Sequence, residues 1–378
     1  MPTPSLLIVP ARFKTGKLYS QIPTSGAGDF TVTRNTAARR FDSAGLVASV
    51  ASGIPRLDYY TSGGVTGCPA LLVEPAATNL VSRSEEFNDA YWSKDAGVTV
   101  DSNVDVAPDG ATTADRLNLT TNGAVYRSGF SLSGSHTFSI YLKGEGQNIG
   151  KQVLLEFTNG NSTVTLTGNW QRFTTTGTNT VNVAIKRATS QQAASVLAWG
   201  AQLETGSVAT SYIPTTAGTG SRSADVVSVS GAVSGSIGQT EGTIYIEFVQ
   251  NNNVSLNRVI AIDNGTNSDN GFDIVTTAGG NIRITYRVLG VAQCDITTSV
   301  VTAVGVTYKV AFAYAQNNFV IYVNGIERGT NSSGNTTLTP SRIILGGRSD
   351  ATGNIRARAV ALYTTRLTDA ELATLTTT

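Results

Sequence analysis

A single histidine, His136, stands in a chain of 378 residues, which removes every triad that needs a partnered imidazole and every zinc site built from several. It lies in GSHTFSIYLKG at the start of an expected strand, where a structural role is the simpler reading. A sandwich enzyme that cuts β-glucans needs two near-neighbour carboxylates on one strand. The closest approach here, Glu241 and Glu247 in EGTIYIE, has apolar residues where the intervening acid belongs. There is no P-loop and no dinucleotide fingerprint, because the glycines fall in turns rather than between a strand and a helix. The expectation is therefore a protein without enzymatic activity.

Binding needs less machinery. Sugar recognition by a sandwich uses an aromatic platform and a few polar side chains, for which Tyr91, Trp92, Tyr126 and Trp170 are candidates, although Trp170, like Trp199, lies in a strand pattern that reads as core. Calcium asks for Asp, Asn and backbone oxygens. The loops IDNGTNSDNGFD and GGRSDATGN offer Asp263, Asp269, Asp273 and Asp350, although ordinary turn chemistry explains the same residues. The expectation is no cofactor, with calcium the one ion whose ligands are on offer. Cys68 and Cys294 fit neither a metal spacing nor a disulfide framework and read as two free thiols.

These residues need elements to hold them. The chain exceeds the length at which one core stops growing, and only 14% of it is charged, while Gly, Thr, Ser, Asn and Val are plentiful. The composition suits strands and turns. From GCPALLVEPAATNL to SYIPTT, and again from EGTIYIEFVQ to RARAVALYTTRL, short alternating runs separated by turn clusters have the spacing of antiparallel sheets packed face to face. Ser84 in RSEEFNDAYWS is expected to cap one helical turn. Asn324 and Gly325 predict a type I′ hairpin between NFVIYV and IERGT, and Thr368 with Glu371 forms a capping box that starts a short C-terminal helix.

The resulting expectation is an all-β protein: two tandem jelly-roll sandwiches, at 76–216 and 229–378, joined by a linker at 217–228 and preceded by an extended segment at 1–75. That segment has the one local basic excess, with Arg12, Lys14, Arg34, Arg39 and Arg40 as candidates for attachment to a larger body. Elsewhere 27 Lys and Arg balance 26 Asp and Glu, a net charge of +1, so nucleic acid is not an expected partner. The start MPTPSLLIVP has no basic n-region and too short an apolar run for a signal or a membrane span.

Two stretches resemble known families. The series EGTIYIEF, YKVAFAYAQNNFVIYVNGIERG, IILGGRSD and IRARAVALYTTRLTDAELATL is similar to laminin-G-like and concanavalin-like jelly rolls. The series LLVEPAATNLVSRSEEFNDAYWSK, PDGATTADRL, FSIYLKGEG, NWQRFTTT and AWGAQLETGSVATSYIPT, with the leader RNTAARRFDSAGLVASVASGIPRLDYY, resembles the carbohydrate-binding-module jelly rolls of bacteriophage virion proteins. The resemblance implies a head decoration, head fibre or tail appendage, located in the virion, with other virion proteins as partners. It also implies a homo-oligomer, a trimer by family likeness, and contact with host glycans as the adhesin alternative. A glycan depolymerase is the more distant one.

Overall fold

The computed structural model describes residues 1–61, 64–179, 181–252, 256–265, 270–337, 339–347 and 353–377. The chain divides into two compact units. The first holds residues 1–45, 50–75 and 223–378, and the second holds 46–49 and 76–222. The all-β expectation holds, since strands dominate both units and the helix Asp369–Thr377 is the one α-helix among the described residues.

The first unit is a sandwich of two antiparallel sheets. One runs in the order Ile326–Asn331, Asn318–Val323, Thr307–Ala315, Gly242–Gln250, Ile355–Tyr363, Gly64–Val73, Leu57–Thr61, with Leu6–Ile8 also pairing on Ile355–Tyr363. The other runs Phe13–Lys14, Lys17–Leu18, Phe30–Thr33, Val226–Ser230, Arg342–Leu345, Asn257–Asp263, Gly271–Thr276, Asn281–Val288, Val291–Val301. The strands alternate as a two-layer fold requires: Ile244, Ile246 and Phe248 enter the shared core, as do Ile282, Ile284 and Tyr286 from the facing sheet.

The N-terminal segment corrects the expectation. Residues 1–75 are not an extended leader. Leu6, Ile8, Leu18, Phe30, Val32, Leu57, Leu71 and Val73 are all buried in that same core. Their strands are two to ten residues long, and several pair with partners more than 190 positions away, such as Leu6 with Leu362 and Val32 with Val227. Local periodicity cannot show such pairing. The stretch 217–228 is likewise no free linker: Gly220–Arg222 pairs with Ala77–Asn79, and Val226–Ser230 lies between Phe30–Thr33 and Arg342–Leu345.

Where the chain leaves the first unit and re-enters it, four charges are buried together. Arg34 bonds Asp225 at 2.9 Å, and Arg56 pairs with Glu74 at 2.7 Å and also with Asp225. Both guanidinium side chains are fully buried. Burial by itself pushes the Arg56 pKa down, but the Asp225 and Glu74 carboxylates more than reverse this and leave it above the ordinary value. Glu74 and Asp225 also exchange two bonds, Asp225 N–H to Glu74 O and Glu74 N–H to Asp225 Oδ2, each 3.0 Å.

Asn324 and Gly325 form the expected tip, both with positive φ (49° and 81°) between the paired Val323 and Ile326. The capping box is present, with Thr368 N–H and Oγ1–H donating to Glu371 Oε2 at 2.9 and 2.8 Å. The helix it starts contributes Leu372 to a second apolar layer with Tyr245, Ala311, Ala313, Tyr322 and Tyr363 on the outward face of the first sheet.

The second unit packs two five-stranded sheets. One has the order Ser93–Lys94, Ala124–Ser128, Asn182–Lys186, Gln152–Phe157, Ser162–Thr165. The other has Thr99–Asp105, Ala114–Asn118, Ser195–Thr205, Ser135–Lys143, Gln171–Thr178. Val125, Val153, Leu155, Val183 and Ile185 meet Leu117, Phe138, Ile140, Leu142, Val196 and Ala198 between them. The helical turn expected after Ser84 is instead a run of separate turns, because the Ser84 hydroxyl is taken by the Tyr212 hydroxyl (2.7 Å) and the Thr215 amide (2.8 Å).

Candidate functional site

Of the three tryptophans, Trp92 and Trp199 are buried and Trp170 alone reaches the surface. It was expected in the core because NWQRFTTT looks like strand throughout. The strand starts one residue later, at Gln171, after a turn in which Asn169 N–H donates to Thr167 Oγ1 at 3.3 Å. The Gly168–Asn169 pair just before the indole was the signal that placed it at a strand end.

A row of charged side chains leads across the sheet to this ring. Asp101 is opposite Arg116, Arg116 opposite Leu197, and Leu197 opposite Lys143. At 4.7–4.9 Å per strand the row spans about 14 Å. Val196 and Ala198 face the core, so Leu197 faces outward, yet it is fully buried. The Lys143 ammonium lies 5.7 Å from the Trp170 ring centroid and 2.6 Å from Asp105. Arg116 holds Glu145 through both carboxylate oxygens, at 2.8 and 3.1 Å. The indole N–H donates to Val106 O at 2.8 Å, which fixes the ring.

A bulge supplies part of this geometry. Between Asp101 and Asp105 the strand carries more residues than its partner, with Asn103 at φ 56°, and such an excess re-aims the side chains that follow. Asp115 supports it from beneath by accepting from the Asn103 and Phe87 amides at 2.9 and 2.8 Å. Burial pushes the Asp115 pKa up, against the lowering by these amides. On the surface, the hydrogen bond from Lys143 draws Asp105 below the usual carboxylate range.

A fixed, surface-reaching indole beside oriented ion pairs is suited to stacking on the apolar face of a sugar while bonding its hydroxyls. Hydrolysis finds no matching arrangement around Glu241 and Glu247. Six residues of strand separate them by about 20 Å, beyond the reach of either glycosidase geometry. His136 is buried between Gly134 O (3.3 Å) and Thr205 Oγ1 (3.4 Å).

Residues 222–373 match the concanavalin A-like lectin/glucanase superfamily (Laminin_G_3). That stretch lies almost wholly in the first unit and gives its sandwich a lectin-like, carbohydrate-binding type of fold. Among solved structures, the carbohydrate-binding module CBM40 of the Ruminococcus gnavus IT-sialidase bound to alpha2,3 sialyllactose aligns at 19% identity. It covers 37% of this chain and 84% of its own, with a TM-score of 0.33. Trypanosoma rangeli sialidase in complex with sialic acid aligns at 20% identity over 36% of this chain and 23% of its own, with a TM-score of 0.31. The heptameric SAP-like pentraxin of Limulus polyphemus aligns at 12% identity over 35% and 68%, with a TM-score of 0.28. A search of curated proteins finds no match.

The other expected binding residues separate. Trp92 is 1% exposed, donates its indole N–H to Arg83 O at 2.9 Å and packs on Phe87 and Tyr91, so it is core and not a platform. Tyr91 is half-buried with the Arg127 guanidinium 4.5 Å from its ring centroid. Tyr126 faces outward from the opposite sheet.

In the lectin-like unit the two described aspartates offered as calcium ligands are each paired with an arginine. Arg342 holds both oxygens of the buried Asp263, at 2.7 and 2.9 Å, and Arg258 lies 2.9 Å from Asp273. The guanidinium groups supply the positive charge a cation would bring. Asp269 and Asp350 lie outside the described residues.

The attachment set divides too. Arg34 is the buried partner of Asp225 and cannot meet another body. Arg40 is half-buried and donates to Leu57 O at 2.7 Å, and Arg39 is half-buried beside it. Arg12 and Lys14 are exposed, their cationic groups 5.7 and 5.9 Å from the centroid of the Tyr19 ring.

Proposed function

We propose that this protein is a bacteriophage virion component that displays a glycan-binding β-sandwich. The observation that carries the binding is the Trp170 row: an aromatic face fixed through its own N–H, flanked by carboxylates and cations already oriented by one another. Such a surface loses little side-chain freedom when a sugar docks, which favours affinity. The virion role is supported by the motif series quoted above, from RNTAARRFD to SYIPTT, and by its resemblance to phage appendage proteins.

Attachment falls to an exposed corner of the first unit. Phe13–Lys14 is the outermost strand of its sheet, and Arg12, Phe13 and Lys14 are all exposed there. An uncovered edge strand with basic and aromatic side chains is a ready template for a partner. Cutting away residues 1–75 is no test of attachment, because it removes core strands. The triple variant Arg12→Ala, Phe13→Ala, Lys14→Ala leaves the core intact. Particles assembled with it are expected to carry much less of the protein than the wild type, and equal incorporation would refute this anchor.

Binding is tested by presenting the full chain and its Trp170→Ala variant to an array of neutral and acidic oligosaccharides. Losing the stacking contact, worth about 1–2 kcal/mol, is expected to weaken the hits about five- to thirtyfold. Identical profiles for the two proteins would remove the Trp170 row from the account, and an empty array would remove glycan binding.

A further inference from the structure

The second unit has another outward sheet face, and we propose that it is a second sugar subsite, taking a neutral hexopyranose against Tyr126; this rests on reading the unit as glycan-binding. Val125, Val183, Ile185, Val153, Leu155 and Phe157 point into the core, so the residues between them, Tyr126, Ala184 and Glu156, point out. Tyr126 is opposite Ser93 on one side and Ala184 on the other, and Ala184 is opposite Glu156.

Three properties of this row suit a sugar. The residues directly opposite the half-buried Tyr126, Ser93 and Ala184, are small, and the diagonal Lys186 and Asn182 are drawn to Glu156, which leaves the ring to serve as a platform. The Glu156 carboxylate is fixed, accepting from Lys186 Nζ at 2.8 Å and from Asn182 Nδ2 at 3.2 Å. Asn182 is fixed in turn by the Thr158 hydroxyl, 2.7 Å from its Oδ1. Two strand intervals put Tyr126 and Glu156 about 9–10 Å apart at their Cα atoms, with the covered Ala184 between them, so a pyranose would stack on the outer face of the tyrosine with its hydroxyls toward the carboxylate and ammonium.

The chemistry differs from a charged-ligand site. Glu156 and Lys186 neutralise each other, both about 30% exposed in their side chains, so the face offers donors and acceptors without a net charge for an acidic sugar to meet. It also lies on the sheet opposite the Trp170 row. Packed sheets are about 10 Å apart with the core filling the space between, so one sugar residue cannot reach both sites. The unit is two-sided and takes two glycan segments.

The test uses the ¹⁵N-labelled full chain and the methyl glycosides of glucose, galactose and N-acetylglucosamine at millimolar concentration. Expected are saturable amide shifts at Ser93, Tyr126, Glu156 and Ala184 that persist in Trp170→Ala. They should weaken about fivefold to tenfold in Tyr126→Ala and recover in Tyr126→Phe, which keeps the ring and controls for folding. Shifts confined to the surroundings of Trp170 and abolished by Trp170→Ala would overturn the second subsite and leave the function standing. No shifts with any of the three glycosides would overturn the subsite, and the oligosaccharide array then decides the function separately.

Discussion

Replacing Asp225 by alanine removes the acceptor for Arg34 Nη1, for Arg56 Nε and Nη2, and for the Glu74 amide. Both arginine side chains are fully buried, and breaking a buried ion pair from one side costs about 3–5 kcal/mol because the remaining charge has no water to turn to. Arg56 keeps Glu74, and Arg34 keeps the carbonyls of Thr36, Ile54 and Ala51, so the loss belongs at the lower end, about 3 kcal/mol. At about 2–4 °C per kcal/mol for a domain of this size, the first unit's melting temperature should fall by about 6–12 °C. Differential scanning calorimetry of the full chain reads this, with the second unit's transition as an internal reference. Asp295→Ala is the control, since it breaks a pair with Arg283 in which both side chains are about one-third exposed, and such pairs contribute at most about 1 kcal/mol. A loss in Asp225→Ala no larger than in Asp295→Ala would refute the claim that the buried cluster clamps the unit.

Other perturbations have equally definite outcomes. Gly325→Ala puts a Cβ at φ 81° and presses it toward the Thr377 hydroxyl; urea unfolding should show a loss of about 1–2 kcal/mol, whereas Asn324→Gly, which relieves positive φ but gives up the Lys309 amide's bond to Asn324 Oδ1, should lose less. Burial pushes the Cys294 thiol up to about 12, while Cys68 is exposed. A thiol reagent should therefore label Cys68 in the native protein and both cysteines after denaturation, and fast native labelling of Cys294 would contradict its burial. Hydrogen bonds from the Thr368 amide and hydroxyl hold Glu371 below the usual carboxylate range. Its stabilising contribution is therefore fully present above the unfolded-state pKa and is lost as pH falls through the lower folded value. Amide exchange in the helix Asp369–Thr377 should accelerate over that acidic window, and Glu371→Gln should blunt the change.

Features written in neighbouring residues were legible in the sequence. The Asn324–Gly325 hairpin, the Thr368–Glu371 capping box and the alternation of EGTIYIEF each depend on a few adjacent positions, and each stands in the structure. What sequence could not supply was pairing at long range. Phe13–Lys14 and Lys17–Leu18 are too short to show a period, and nothing in the sequence marks Arg34, Arg56, Glu74 and Asp225 as a buried cluster, because charged residues are so seldom fully buried. The basic excess of the N-terminal segment was partly this internal cluster. At the candidate site the error ran the other way. Trp170 seemed to belong inside because aromatic residues in strand-like runs usually do, and only the turn before it and the far-off Lys143 and Val106 decide that it faces out.

The exchange of bonds between Glu74 and Asp225 also makes the architecture modular. Apart from the short stretch Leu46–Ser49, everything in the second unit lies between two points of the first that are already hydrogen-bonded neighbours. Closing a loop across such neighbours costs little however long the loop is. A gene segment encoding residues 76–222 is therefore expected to be replaceable by a tight turn, or by a different module, without reopening the first sandwich. Exchanging such cassettes would change the inserted unit while keeping the sandwich from which it emerges.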